Sequence, residues 1–331
     1  MKEKKVKLFE CCIPTKGVKR GVILDLQREE IYIFPNSIID ILQEYSEKCM
    51  ITFFEDFNDE KETFKKYAHY LLKHELIFTC SDEHVFQKIE MDFNVPFYVD
   101  IITLEISNLQ LFKKRFIHEQ LENSGCKSLI LILENDIVEY VVEVLVLLNK
   151  SKIQNIFLFI LYNENLSSTI NDLLRPYGRL CEIVFYNAPF TKGRDDVCSP
   201  RIIQIENCFT EILNKKIESK NDFIINTLAY VESLTCNLFL NRRVYIDNEG
   251  NVKYNNLGNS FGNIKFKNLE LIISQSDFLE IWSVTKDQIE ICRDCEFRYI
   301  CPDRRIPEKK NDTLYFHKTK CAYNPYTNEW N

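Results

Sequence analysis

Between residue 95 and about residue 215 the chain alternates short apolar runs with amphipathic segments, and this repetition limits the possible folds more than any other feature. Continuous apolar runs of this length are typical of strands buried on both faces of a parallel sheet. Repeated βα units predict such a sheet, open or partly closed as a (β/α) barrel, with ligands at the carboxyl ends of its strands. The predicted strands are residues 97–106, 128–133, 156–161 and 182–186, and a mostly apolar helix is predicted at 137–148.

Two carboxylates follow the second predicted strand and are candidates for acid–base chemistry. Glu134 and Asp136 are expected at the mouth of the sheet, where a pair of carboxylates can donate and accept protons. Asp100 is a third candidate for the same mouth. The alternative is that Asp136 only stabilises the amino-terminal end of the next helix.

Composition and charge exclude several classes of protein. The 42 basic and 49 acidic residues give a net charge of −7, which disfavours a nucleic-acid partner. The phosphate-binding patterns GxxxxGKS/T and GxGxxG are both absent, which disfavours a built-in ATPase or a Rossmann dehydrogenase. No apolar run is long enough to span a bilayer, and residues 1–10 lack the apolar core of a secretory signal. We therefore predict a cytoplasmic protein without a membrane partner.

The first 88 residues predict a small winged-helix-like domain. Residues 20–27 and 30–34 indicate two short strands around a polar turn, and helices are predicted after Pro35 and after Asp59. The exposed edge of such a sheet can accept an extended peptide as an added strand. The alternative is a small α+β unit that binds no ligand.

The strongest chemical signal is a set of cysteines near the carboxyl terminus. Cys292, Cys295, Cys301 and Cys321 have the spacing C-x2-C-x5-C-x19-C, and His317 is an alternative fourth ligand. A C-x2-C pair brings two thiolates to one centre from a single turn, and four thiolates bind either zinc or an iron–sulfur cluster. A zinc ribbon usually has two C-x2-C pairs, so the single pair favours a cluster. Zinc, or four buried thiols without any metal, are the alternatives.

The carboxyl-terminal third resembles the SPASM domain, the auxiliary-cluster module of radical SAM peptide-modifying enzymes. In that family the second auxiliary [4Fe–4S] cluster is held by a C-x2-C-x5-C trio and a final cysteine. The resemblance implies that residues 216–331 form a SPASM-like domain with one [4Fe–4S] cluster. The implied ligands are Cys292, Cys295, Cys301 and Cys321.

The chain departs from the family pattern at two other ligand positions. Cys236 and Gly250 match the opening of the SPASM motif, but Asn255 and Arg305 stand where cysteines are expected. The first auxiliary cluster is therefore expected to be missing. The radical SAM motif CxxxCxxC is also absent, so residues 95–215 resemble a radical SAM-type partial barrel from which no binding of S-adenosylmethionine is expected.

Over nearly its whole length the chain resembles the SPASM-domain maturase of grasp-with-spasm systems, and residues 9–28, 32–36, 239–247 and 260–264 carry that resemblance. In these systems a ribosomally made precursor peptide is encoded beside an ATP-grasp peptide ligase. The resemblance implies that residues 1–88 are similar to a RiPP recognition element, which binds a leader peptide as an added strand. The expected peptide contacts are Ile23, Leu24, Asp25, Leu26, Ile31, Tyr32 and Ile33.

Three functions follow from these patterns and stay open. The first is an accessory protein that binds the precursor peptide, with a structural cluster and with catalysis left to the ligase. The second is a redox-active iron–sulfur enzyme that modifies peptides. The third is a zinc-stabilised interaction protein.

Overall fold

A three-stranded antiparallel sheet lies near the amino terminus, and two helices follow it along the chain. The computed structural model describes residues 5–44, 61–80, 88–95, 98–106, 120–133, 138–149, 151–174, 176–193 and 200–330. The first elements are β1 Lys5–Leu8, β2 Cys12–Lys16, β3 Gly21–Asp25, β4 Glu30–Phe34, α1 Asn36–Glu44, α2 Lys61–Lys73 and β5 Ile77–Cys80. The sheet has the order β2-β3-β4, and β1 pairs separately with β5. The predicted hairpin is confirmed as β3 and β4, and β2 is a strand that the sequence did not predict.

The middle strand of this sheet is buried on both faces. Ile23 packs in a cluster with α1 and α2. Val22 and Leu24 point the other way, because successive side chains of a strand alternate, and they pack with Phe297 and Ile300. The continuous apolar run of β3 therefore reflects two separate cores, one within the amino-terminal region and one shared with the end of the chain.

A large mixed sheet forms the centre of the molecule, with helices between its strands. Its strands were predicted from apolar runs, and β7 has the bounds that were predicted. The elements of this part are β6 Ile101–Ile106, β7 Ser128–Leu133, α3 Val138–Leu148, β8 Asn155–Leu161, α4 Glu164–Leu174, β9 Leu180–Tyr186, β10 Lys192–Gly193, β11 Arg201–Gln204, α5 Phe209–Leu213, α6 Thr227–Thr235, β12 Arg243–Ile246, β13 Asn251–Lys253 and β14 Gly262–Asn263.

The strand order of the large sheet is β10-β11-β9-β8-β7-β6-β12-β13-β14. The run from β11 to β12 is parallel, and the strands at the ends, β10, β13 and β14, pair antiparallel with their neighbours. In the described part of the chain β10 and β14 are the two ends of an open sheet. The fold is thus mixed α/β around a nine-stranded, mostly parallel sheet.

The sheet does not stop at residue 215. The predicted hairpin near Gly250 is confirmed as β12 and β13, and β12 also pairs in parallel with β6. Val244 and Val252 of this hairpin lie in the same hydrophobic core as Leu104 and Leu131 of the central strands. The segment that follows residue 215 therefore supplies part of the central sheet as well as the cysteine-rich region.

The last part of the chain consists of short elements. Two hairpins, β15 with β16 and β17 with β18, flank the loop that carries Cys321. No helix in the described part of the chain is long and apolar enough to cross a membrane. The elements are α7 Leu269–Ile273, α8 Ser276–Ser283, the 3-10 turns Lys286–Gln288, Cys292–Asp294 and Arg298–Ile300, β15 Glu308–Lys309, β16 Tyr315–Phe316, β17 Tyr323–Asn324 and β18 Glu329–Trp330.

A close approach at Gly17, in the β2–β3 turn, predicts a large effect of one methyl group. A Cβ atom at Gly17 would lie 2.8 Å from the amide nitrogen of Glu296 and 2.9 Å from the carbonyl oxygen of Arg20. Both contacts are with backbone atoms, so Gly17→Ala must push the turn away from the cysteine-rich segment. We expect the free energy of unfolding in urea to fall by about 1–3 kcal/mol. Gly178→Ala is the matched control, because no atom lies within 4 Å of its added Cβ; equal losses in both variants would contradict the expectation.

Candidate metal centre

Two short turns and one loop position the four cysteines of the C-x2-C-x5-C-x19-C pattern. Cys292 opens a 3-10 turn, and the amide of Cys295 donates to the carbonyl of Cys292 over 3.0 Å. Cys301 directly follows the next 3-10 turn, and Cys321 lies on the loop between β16 and β17. All four are half-buried and form no disulfide. The compact C-x2-C turn is the geometry that this spacing predicts.

Burial and neighbouring thiols together shift the pKa values of these cysteines. Burial raises the pKa of Cys301, and among its neighbours Cys292 and Cys321 raise the pKa further. Burial also raises the pKa of Cys295 well above its ordinary value, with added contributions from Cys301 and Cys292. Metal ligands must be thiolates. Burial thus favours the protonated thiols, and a metal group bound here would displace their protons.

A buried ionic network borders the cysteines. The ammonium of Lys286 lies 3.1 Å from Oδ2 of Asp303, and Nη2 of Arg305 lies 2.6 Å from the same oxygen. The side chains of Lys286 and Asp303 are only 4% and 8% exposed. Although burial opposes ionisation, the two cations hold the pKa of Asp303 far below its ordinary value. Burial raises the pKa of Cys292, and Lys286 partly offsets that rise.

His317 lies beside this network. Cys292, Asp303 and His317 have potential ligand atoms that all lie within 4.8 Å of one another. Burial lowers the pKa of His317 to about 4, so the imidazole is neutral at pH 7. Nδ1 lies 3.4 Å from the carbonyl oxygen of Ile306, and Nε2 lies 3.3 Å from Oδ2 of Asp303 without a hydrogen bond. The carboxylate of Asp303 is already paired with Lys286 and Arg305, which makes it a poor metal ligand.

The donor set fits a thiolate-bound metal group. In a tetrahedral zinc site the sulfurs lie about 3.8 Å apart, as follows from zinc–sulfur bonds of about 2.3 Å. A [4Fe–4S] cube separates its thiolates further, because four iron atoms stand between them. Among the described residues no three of these four cysteines have sulfurs that all lie within 4.8 Å of one another. The thiolate donors suit either zinc or an iron–sulfur cluster.

The two positions that depart from the SPASM pattern lie together. Asn255 and Arg305 line one cavity, in which Arg305 is held by its two-nitrogen contact with Asp303. Cys236 is not among the described residues that line this cavity. It lies at the carboxyl end of α6, close to Glu232. A side chain with a fixed positive charge therefore occupies one of the positions where the family has a cluster ligand.

Cys11, Cys12 and Asp25 form a second group of ligand atoms within 4.8 Å. The carboxylate of Asp25 accepts the amides of Gln27 and Arg28 and the guanidinium of Arg28, and it thereby closes the β3–β4 turn. Burial raises the pKa of Cys12, and Cys11 raises it further. The hydrogen bonds of Asp25 thus serve the β3–β4 turn, and both thiols are protonated because their pKa values are raised.

The amino-terminal sheet rests directly on the cysteine-rich segment. The amide of Val18 in the β2–β3 turn donates to the carbonyl of Asp294 over 2.8 Å. Nε of Arg20 donates to Oε1 of Glu296 over 2.7 Å, and the Glu296 side chain is only 1% exposed. Tyr323 donates to the same carboxylate oxygen. A metal group held by the cysteines would thus brace the surface against which β2 and β3 pack.

The seven predicted peptide contacts separate into two groups. Four are buried on or next to the middle strand β3: Ile23, Leu24, Asp25 and Leu26. Both edges of β3 are paired, so no peptide can be added to that strand. Three lie on β4: Ile31, Tyr32 and Ile33. Within the described residues the outer edge of β4 is unpaired, which narrows the peptide hypothesis to this strand.

The carboxylates predicted for the mouth of the sheet do not form a described site. Glu134 and Asp136 lie outside the described residues. Asp100 precedes β6 at the amino end of the strand, where its amide donates to the carbonyl of Arg242 over 2.8 Å. The expectation that Asp100 faces the mouth is wrong, because the mouth lies at the carboxyl end.

The sequence analysis did not identify three residues that border the candidate sites. Lys286 and Asp303 lie beside the cysteines, and Tyr70 lies beside β4. Asp303 follows Cys301 by two residues, a proximity that could have indicated it. Lys286 and Tyr70 carry no comparable signal, because a lysine is ordinarily exposed and a tyrosine on a helix is ordinarily part of a core.

No protein-family model matches the chain, and no curated protein matches it significantly. Any function proposed for the chain therefore follows from its own residues, above all from β4, whose outer edge is unpaired among the described residues, and from the four-cysteine region.

Proposed function

We propose that this protein is an accessory factor in the maturation of a ribosomally made peptide. It binds the precursor along β4 and acts together with an ATP-grasp ligase. One [4Fe–4S] cluster, held by Cys292, Cys295, Cys301 and Cys321, stabilises the carboxyl-terminal region. The single observation that carries the proposal is the partly exposed edge strand β4, whose outer edge no described strand pairs with, beside the aromatic face of α2.

The surroundings of β4 suit an extended peptide. Ile33 is 38% exposed, and Tyr70 of α2 is 42% exposed. The ring of Tyr70 packs edge-on against Tyr32, with centroids 6.4 Å apart, and lies 4.2 Å from the ring of His74. Main-chain pairing at a strand edge supplies affinity, and side-chain pockets beside it supply specificity. Tyr70 and His74 of α2 offer aromatic side chains beside β4 for such contacts.

The position of the cysteines supports a structural role for the cluster. A cluster with four thiolate ligands has no open iron position, so what it supplies when bound is crosslinking of the chain or electron transfer. Here the crosslinked segment carries Glu296, to which Arg20 of the amino-terminal sheet is paired. The cluster therefore supports the peptide-binding sheet from behind. Catalysis is assigned to the ligase because the chain lacks CxxxCxxC.

Tyr70→Ala tests the binding surface. We expect its affinity for a fluorescent leader peptide of a ribosomally made precursor to fall about tenfold, because an aromatic anchor is lost. Fluorescence anisotropy with purified protein measures the change. Leu72→Ala is the matched control: Leu72 lies on the same helix and is 40% exposed. Equal affinities of both variants and the wild-type chain would argue against peptide binding at β4.

A zinc-stabilised interaction protein is the second candidate function. One observation favours it: Nε2 of His317 is buried without a hydrogen bond near Cys292. A neutral imidazole nitrogen in that position is a normal zinc ligand. Metal content distinguishes the two candidates.

A further inference from the structure

Six of the sixteen residues that line a cavity of about 460 Å³ beside the loop of Cys321 are basic. The chain as a whole has a net charge of −7, yet six basic residues and only two acidic residues line this cavity. A concave surface with one sign of charge concentrates ligands of the opposite sign. The basic residues are Lys215, Lys216, Arg304, Arg305, Lys318 and Lys320.

Four of these six cations already have partners. Lys215 pairs with Asp222, and Lys318 pairs with Glu308, each over 2.6 Å. Arg305 contacts Asp303, as described above. Arg304 donates to the carbonyls that end α5, at 2.5 Å and 3.1 Å. These four side chains are therefore held in place within the wall of the cavity.

The other two cations, Lys216 and Lys320, are exposed and have no ion pair with any described residue. Both also line a second cavity, of about 780 Å³, which shares Cys321 and Ala322 with the first. Lys216 and Lys320 thus line both cavities, and one acidic residue, Glu218, lines the second.

The residues of the cavity select among anions. Among the described residues no aromatic side chain lines the first cavity, so it offers no stacking surface for a nucleobase. Both arginines are engaged, and the available donors are flexible lysines, which act as point charges and do not form the planar fork that grips one phosphate. Separated lysine charges suit carboxylates that are spread along a peptide.

We propose that this basic cavity binds an acidic segment of a peptide chain. The proposal deepens the proposed function, since it assigns a second contact on the same protein to the precursor, formed by residues other than those of β4. It commits to glutamate or aspartate side chains as the groups bound, with Lys216 and Lys320 as their ion-pair partners.

A fluorescein-labelled hexaglutamate peptide tests the proposal on the full chain by fluorescence anisotropy. We expect the wild-type chain to bind it, to bind hexaglutamine at least tenfold more weakly, and to lose about tenfold in affinity in the double variant Lys216→Gln/Lys320→Gln. The control Lys265→Gln/Lys267→Gln removes the same charge from exposed residues elsewhere and is expected to bind as wild type.

Three results would overturn the proposal. The first is that the wild-type chain does not bind hexaglutamate, and the second is an equal loss in the control pair, which would indicate a diffuse charge effect. The third is that a six-residue oligothymidylate displaces hexaglutamate at lower concentration than unlabelled hexaglutamate does, which would assign the cavity to nucleic acid. Tyr70→Ala is expected to retain hexaglutamate binding, so failure at β4 and failure at the basic cavity are measured separately.

Discussion

Cys295→Ala is expected to abolish metal binding. The wild-type chain, purified without oxygen, is expected to contain about four irons and four sulfides, and the variant close to none. Cys295 is central to the site because it belongs to the C-x2-C turn and packs against the core that joins the amino-terminal sheet to the end of the chain. Losing one of four thiolates leaves an iron without its protein ligand. Iron, sulfide and zinc analysis of both proteins measures the effect.

Cys181→Ala is the control for that experiment. Cys181 lies in β9, where its sulfur is 3.6 Å from Oδ1 of Asn155, so its removal is expected to leave the metal content unchanged. About one zinc per chain, lost in Cys295→Ala, would contradict the cluster and support the zinc alternative. About eight irons would indicate a second cluster and would restore the redox-enzyme hypothesis.

Asp303→Asn is expected to cost about 3–5 kcal/mol of the free energy of unfolding. The substitution removes the only carboxylate within ion-pair distance of the buried Lys286 ammonium among the described residues, and an unpaired buried charge is strongly destabilising. Lys286→Met is expected to cost clearly less, because Asp303 keeps Arg305 as a partner at 2.6 Å. Urea unfolding of both variants in the same metal state measures the difference.

A double variant completes this test. In Lys286→Met/Asp303→Asn the stranded ammonium is gone, so the double variant is expected to be more stable than Asp303→Asn alone. If the losses of unfolding free energy in the two single variants simply add in the double variant, the result would contradict the view that Asp303 stabilises the fold by neutralising Lys286. Rescue by the second substitution also separates this electrostatic effect from a general failure to fold.

The parallel part of the sheet was predictable because its strands are buried on both faces. Residues 128–133 read as an unbroken apolar run, and β7 has those bounds. The strand β2 was missed, since it is an edge strand with Pro14 in its centre and only Cys12 and Thr15 buried. Edge strands carry no regular apolar signal.

Long-range pairing explains the remaining differences. The neighbour of β6 on one side is β12, and nothing local in Arg243–Ile246 indicates which strand it joins. The four cysteines were chosen as candidate ligands from their spacing alone. Their ionic surroundings could not be predicted in this way, because the burial of Lys286 depends on Asp303, which lies 17 residues away.

The sharing of one core between the two ends of the chain has a consequence for synthesis. Val22 and Leu24 pack with Phe297 and Tyr323, which follow them by more than 270 residues in the sequence. The inner face of β3 therefore stays uncovered until these later residues have been synthesised, and uncovered apolar strands promote aggregation. The yield of folded protein in a cell is expected to depend on chaperones that shield the nascent amino-terminal region.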